Sequence, residues 1–275
     1  MLRYYNNAVR DSHYKRKSQF TVSNHIYSLL TNKQLKIMKN VKKVMALVAV
    51  ILGFAVSASA QNGFTLRAGG NFPVGAFNNG ENAAELALSN SEATLGGAAI
   101  GFNAGVKYQF GVVGNLSAFA TADFFYNGLK GDIKEDWHIE GLKDIEGIKF
   151  NTPSYMNIPV MLGLNYTILD IIGTTLWAEA GAGVNFRSIT KNSAEYNSNN
   201  LDVSAEMTYD LATTFAWQAG LGVSIDNTVT LGLHYYGFGK SEIKGESTIP
   251  VIGTKSFKVG KLNPSMVVVR LGYTF

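Results

Sequence analysis

The 275-residue chain could make one large domain or two small ones, contains no cysteine, and carries 24 Lys and Arg against 20 Asp and Glu. The lack of cysteine excludes disulfides, thiolate nucleophiles and cysteine-ligated metals. The mild basicity does not point to nucleic acid, because residues 1–60 hold ten of the basic residues and one acid, leaving 14 basic and 19 acidic residues and a formal charge of −5 in the remainder.

Residues 1–37 show no apolar periodicity and read as an upstream extension ahead of a true start at Met38; a genuinely long basic leader is the alternative. From Met38, Lys39, Lys42 and Lys43 precede an apolar run over 44–56, and Ala58-Ser59-Ala60 follows. This is the order of a secretory signal peptide over 38–60, with cleavage expected between Ala60 and Gln61. A membrane-spanning helix is the competing reading, but the run falls short of the roughly 20 residues a span needs.

Over 61–275 glycine is frequent and alternates with apolar residues, and period-2 patterning recurs. Eight strands are expected, at about 64–73, 100–110, 116–127, 156–166, 176–187, 214–224, 229–236 and 267–275. In the second, Ile100, Phe102, Ala104, Val106, Tyr108 and Phe110 interleave with Gly101, Asn103, Gly105, Lys107 and Gln109. In the third, Phe119 and Phe125 break the rule by falling on the polar face. Pro159 in the fourth removes a ladder donor, so a bulge or gap is expected there.

A soluble sandwich also alternates, so the connections decide between the two. Long polar stretches at about 74–97, 128–152, 188–209 and 240–263 alternate with short ones at about 111–114, 167–174 and 226–228. Short turns at one end, long loops at the other and an even strand count describe an outer-membrane barrel with both termini on the periplasmic side. The expected fold is therefore all-β: an eight-stranded antiparallel transmembrane β-barrel, an up-and-down meander, following a cleavable signal peptide. Arg67, Lys107, Asp123, Glu179, Arg187, His234 and Arg270 sit mid-strand on the polar face and are expected to line the lumen, since lipid would make such charges costly. Tyr108, Phe110, Tyr126, Tyr166, Phe186 and Tyr235 fit interfacial girdles.

The stretch Ser154-Tyr155-Met156-Asn157-Ile158-Pro159-Val160-Met161-Leu162, running on to Tyr166, resembles the PorT-like outer-membrane β-barrel family of Bacteroidetes-type bacteria. Tyr155, Ile158 and Pro159 match the recurring Tyr-x-x-Ile-Pro-hydrophobic strand, and Ala60-Gln61, the Gly-rich strands and the closing Tyr273-Thr274-Phe275 look alike as well. The resemblance covers about 61–275 and implies a small barrel of the kind formed by other minor outer-membrane proteins. One family member is associated with assembling a protein-secretion system. The family's usual acid before Ile-Pro is here Asn157, so no role of that carboxylate carries over. From known barrels, Tyr273 and Phe275 on the last strand are expected to be read as an assembly signal by the insertion machinery.

Candidates for chemistry are few. His138 and His234 are the histidines past residue 60, and neither lies in a metal-ligand spacing. A Ser/His pair would need Ser224, Ser241 or Ser265 near His234 in space. The acids Asp132, Glu135, Asp136, Glu140, Asp144 and Glu146 lack the spacing of a calcium loop. No cofactor, metal or catalytic residue is expected. The expected role is an outer-membrane protein with a side-chain-filled lumen, monomeric, contacting membrane lipids and an extracellular or periplasmic partner through binding, adhesion or envelope assembly. The alternatives are a lipid-modifying enzyme using His234 and a narrow channel.

Overall fold

The computed structural model describes residues 63–79, 94–131, 148–198, 201–249 and 253–275. The upstream extension, the signal peptide, the Ala60–Gln61 site, the acidic stretch at 132–146 and His138 lie outside these residues. In chain order the strands are β1 (Gly63–Pro73), β2 (Thr94–Leu95), β3 (Gly101–Val113), β4 (Leu116–Asn127), β5 (Ile148–Asn151), β6 (Tyr155–Ile171) and β7 (Thr174–Ile189). They continue as β8 (Asn192–Ser198), β9 (Leu201–Tyr209), β10 (Ala212–Ile225), β11 (Val229–Gly237), β12 (Ser241–Ile249), β13 (Gly253–Leu262) and β14 (Ser265–Thr274).

Eight of these close into a barrel in the order β1-β14-β11-β10-β7-β6-β4-β3. Each pair is antiparallel, and β1 closes the ring by pairing with β3 on one side and β14 on the other. Closure leaves no edge, which is the condition for a sheet to cross hydrocarbon. The pleat then sorts the side chains. Outward positions such as Leu162 (70% exposed), Phe215 (61%), Leu271 (61%) and Leu221 (55%) are apolar, while Arg67, Lys107, Asp123 and Glu179 are buried inside. An exposed apolar belt around a whole barrel far exceeds what a soluble monomer shows and requires lipid.

Phe119 and Phe125 belong to the interior: both point inward and are fully buried. Inward glycines make the room these bulky groups occupy. A Cβ on Gly163 would stand 2.3 Å from the Phe119 ring, and one on Gly222 would stand 2.4 Å from Trp177.

At Pro159 the pairing of β4 with β6 runs in one register from Leu116↔Tyr166 to Ala122↔Val160 and resumes at Phe125↔Asn157. The missing donor leaves a gap without a bulge, and the β7 side of β6 pairs continuously through Pro159↔Asn185. The connection expected at 167–174 is mostly strand. β6 runs to Ile171, and a register shift between Thr167 and Leu169 turns Ile168 and Leu169 outward with Ile171. The β10–β11 turn places Asp226 and Asn227 at φ 49° and 53°, a left-handed pair that Asp and Asn tolerate.

Among the described residues the long polar connections differ from expectation in carrying ordered strand: 188–209 and 240–263 are mostly strand, and 74–97 and 128–152 contribute the short β2 and β5. β2, β13, β12, β9, β8 and β5 form a second, six-stranded sheet in that order. The β8–β9 hairpin continues the β7–β10 pair after a two-residue break at each strand, and β12–β13 extends β11 and β14 after breaks of three and two residues. Outside the membrane both faces of a strand meet water or mixed surroundings, so the apolar alternation that marks the barrel strands fades there.

The two environments of the outer wall and the turns make a simple comparison. Leu162→Arg, on the outward face near the middle of β6, is expected to lower the unfolding free energy in lipid vesicles by about 2–4 kcal/mol, and Asn227→Arg in the turn by less than about 1 kcal/mol. Urea titration of tryptophan fluorescence measures both; equal effects would contradict a lipid-facing β6.

Candidate functional site

The interior is organised around two carboxylates. Asp123 on β4 accepts a two-pronged bond from Arg67 on β1, Nε to Oδ1 at 3.0 Å and Nη2 to Oδ2 at 2.7 Å. Arg270 on β14 adds Nη1 to Oδ1 at 3.4 Å. Glu179 on β7 takes Lys107 Nζ from β3 at 2.5 Å and His234 Nε2 from β11 at 3.0 Å. Gln218 on β10 and Asn165 on β6 donate to it at 3.2 and 3.3 Å, and Arg67 Nη1 approaches to 3.8 Å. Period-2 patterning is why these residues share a face; the register of eight pairings is why they share one locus.

Aromatic faces hold the cations laterally. Lys107 Nζ lies 4.8 Å above the Phe119 ring centroid and 5.3 Å from that of Trp177. The Arg270 guanidinium lies 4.8 Å from Tyr236 and 5.2 Å from Phe125. Such contacts are strongest where water is excluded.

Arg187 is not part of this cluster. Its Nε donates to Asn157 Oδ1 at 3.3 Å, Nη1 to Ser241 Oγ at 2.6 Å and the Leu262 carbonyl at 3.2 Å, and Nη2 to the carbonyls of Phe238 and Gly239 at 3.1 and 3.0 Å. It therefore ties the barrel wall to the roots of β12 and β13. Five acceptors, none of them a carboxylate, satisfy a guanidinium that is 2% exposed.

Above the charge cluster, toward the long connections, the barrel is filled. Phe125 packs on Tyr236 and Phe238 at ring separations of 5.0 and 5.3 Å. Phe77 meets Tyr155 edge-on at 5.2 Å, and Met161, Leu262, Met266 and Val268 are fully buried with them. Below the cluster, toward the short turns, a cavity of about 560 Å³ opens between Gly114, Asn227 and the ends of β1 and β14, with Arg67, Lys107, Glu179, His234 and Arg270 among its lining. The inside is thus a blind polar vestibule under an aromatic plug.

The serines considered as partners of His234 are engaged elsewhere. Ser224 accepts from Trp177 Nε1 at 3.0 Å, Ser241 from Arg187, and Ser265 donates to the Val74 carbonyl at 3.2 Å. Among the described residues no group of three or more His, Asp or Glu could hold a metal ion. Tyr273 and Phe275 face outward, 51% and 72% exposed, with rings 5.0 Å apart, and the Phe275 N–H donates to the Phe64 carbonyl at 2.9 Å.

Beyond the barrel, the second sheet carries paired charges on its exposed face. Glu242 meets Lys258 at 2.6 Å and Lys244 at 3.2 Å, and Lys191 meets Glu206 at 3.4 Å. Hydrogen bonds from Lys258 and Lys244 hold the Glu242 carboxyl below its ordinary value. Tyr209 packs edge-on against Phe257 at 5.8 Å, and burial pushes its phenol up to about 12. The sequence did not announce this sheet, and it did not single out Asn165, Gln218, Trp177 or Tyr236 as partners of the charged residues, although inward parity places them on the same face.

Removing one carboxylate tests the cluster. Glu179→Gln leaves Lys107 without a counter-charge and is expected to cost about 3–5 kcal/mol in urea unfolding, with the Glu179→Gln/Lys107→Met double variant losing less than the single one. A Glu179→Gln barrel as stable as the parent would contradict the assignment.

No protein-family model matches the chain, and no curated protein matches it. Among solved structures it is similar to the outer membrane protein OprG from Pseudomonas aeruginosa, with 13% identity over 80% of this chain and 98% of that one, at a TM-score of 0.45. It is similar to a major outer membrane protein from Thermus thermophilus, with 13% identity over 78% and 100%, at 0.42. Ail, the attachment invasion locus protein of Yersinia pestis, shows 13% identity over 78% and 97%, at 0.33. The assignment rests on the molecule itself: eight closed strands, an apolar outer belt and ion pairs inside make the chain an antiparallel membrane β-barrel of outer-membrane type.

Proposed function

We propose that the protein is a sealed membrane anchor that binds a macromolecular partner through the six-stranded sheet standing beyond its long-connection end. The observation that carries this reading is that strands from all four long connections join one sheet, whose roots are pinned to the barrel by Arg187 and by the Tyr155 hydroxyl, which donates to the Gly96 carbonyl at 2.8 Å. A pre-ordered surface loses little entropy on binding, which favours recognition over a flexible tether. With both termini on the periplasmic side, that sheet faces the exterior.

The aromatic plug argues against a narrow channel, and the engaged serines argue against a Ser/His lipid-modifying site. The resemblance to PorT-like barrels supports a second reading, in which the partner belongs to an envelope assembly and meets the barrel from the periplasm.

Photo-crosslinking in intact cells separates the two. A crosslinking residue in place of Lys191 or Lys258, whose side chains are 56% and 60% exposed, is expected to yield covalent adducts, and one in place of Asn227 in the β10–β11 turn is expected to yield none. Adducts confined to Asn227 would move the function to the periplasmic end.

A further inference from the structure

We propose that the vestibule at the turn end is a binding site for a small oxyanion, a phosphate or carboxylate taken from the aqueous phase. The first support is charge. The vestibule floor brings together Arg67, Lys107 and Arg270 but only Asp123 and Glu179, so the cluster carries one surplus positive charge even with His234 neutral. Asp226, the acid at the mouth, is exposed to water in its turn and offsets little of a charge held this deep. An unbalanced charge inside a wall of lipid is expensive.

The second support is unspent hydrogen-bonding capacity. Arg270 is 2% exposed and lines the cavity, yet its Nε and Nη2 have no partner among the described residues. Both atoms are closed off from water behind the cavity wall, so an oxyanion in the cavity meets the charge of this guanidinium, whose one hydrogen bond goes to an Asp123 carboxylate shared with Arg67. Hydroxyls stand along the wall between the floor and the mouth, from Thr65, Thr230, Thr274 and Ser117. Thr65 and Thr274 bond to each other at 2.8 Å, which leaves one hydroxyl proton of that pair, with those of Thr230 and Ser117, to donate to the anion's oxygens.

The third support is access. All eight strand pairs are closed, so nothing enters from the lipid side, and the plug of Phe125, Tyr236 and Phe238 closes the other end. The mouth between the turns is the remaining route. A cavity of about 560 Å³ accommodates an oxyanion with several waters, each taking about 30 Å³. The ligand is therefore a free periplasmic solute and not a headgroup sliding in from the bilayer.

Trp177, on the vestibule wall, supplies the readout. The full barrel carrying Trp137→Phe and Trp217→Phe is refolded in maltoside micelles, free of phospholipid, and titrated with sodium phosphate against sodium chloride of equal ionic strength. A saturable change in Trp177 emission specific to phosphate is expected. Arg270→Gln, which removes the surplus charge, is expected to raise the half-saturation concentration about tenfold. Thr230→Lys, which adds a cation to the wall outside the cluster, is expected to lower it severalfold and decides the matter where Arg270→Gln does not refold. Absence of a saturable response, or identical curves in the variants that refold, would overturn the proposal. A response to lysophosphatidylglycerol with none to phosphate would also overturn it, in favour of a lipid headgroup.

Discussion

Every strand of the barrel delivers a side chain to the network around Asp123 and Glu179. Arg67 comes from β1, Lys107 from β3, Asp123 from β4, Asn165 from β6, Glu179 from β7, Gln218 from β10, His234 from β11 and Arg270 from β14. Inside a lipid wall these charges have few other partners, so each must find its complement across the lumen. A one-residue slip of any strand would turn its polar residue into lipid and its apolar row inward. The network thereby fixes register and closure together, at a desolvation cost that only good geometry offsets.

The same network divides the interior. On the long-connection side, apolar rings fill the space and the guanidinium of Arg187 spends all its donors on carbonyls, an amide and a hydroxyl at the roots of the second sheet. On the turn side, side chains shorten to Thr, Ser and Gly, and the barrel opens. Glycines on the inner face belong to this arrangement: Gly105 lies where Asp123 needs room, and Gly220 and Gly232 lie against the His234 ring. A single barrel therefore presents two surfaces of different chemistry, an ordered sheet outside and a cationic recess within.

The barrel strands and their inner faces were legible in the sequence because lipid on one side and polar groups on the other enforce strict alternation over ten or so residues. The parity of Arg67, Asp123 or Glu179 followed from that alone. Their pairing did not, since which residues of non-adjacent strands meet depends on the register of every strand between them. Arg187 shows the limit. It shares inward parity with Glu179 on the same strand, yet lies eight residues along it and bonds to β12 and β13 rather than to the carboxylates. Phe119 and Phe125 looked like exceptions to the pattern; they are the plug and the cation platforms, which a polar-versus-apolar reading of a lumen does not anticipate. The second sheet left almost no periodic trace because its strands are polar and have no lipid-facing side to enforce an apolar alternation.

Whether the interior is sealed bears on all of this, since an anchor, a blind recess and a plug held by buried ion pairs stand or fall together. Ion conductance of the purified barrel in a planar bilayer measures it directly. A barrel that inserts, shown by heat-dependent migration of the same sample, without stepwise conductance in either polarity is the expected result. Regular single-channel steps from the unaltered protein would show a continuous aqueous path past Phe125, Tyr236 and Phe238 and would contradict the sealed architecture.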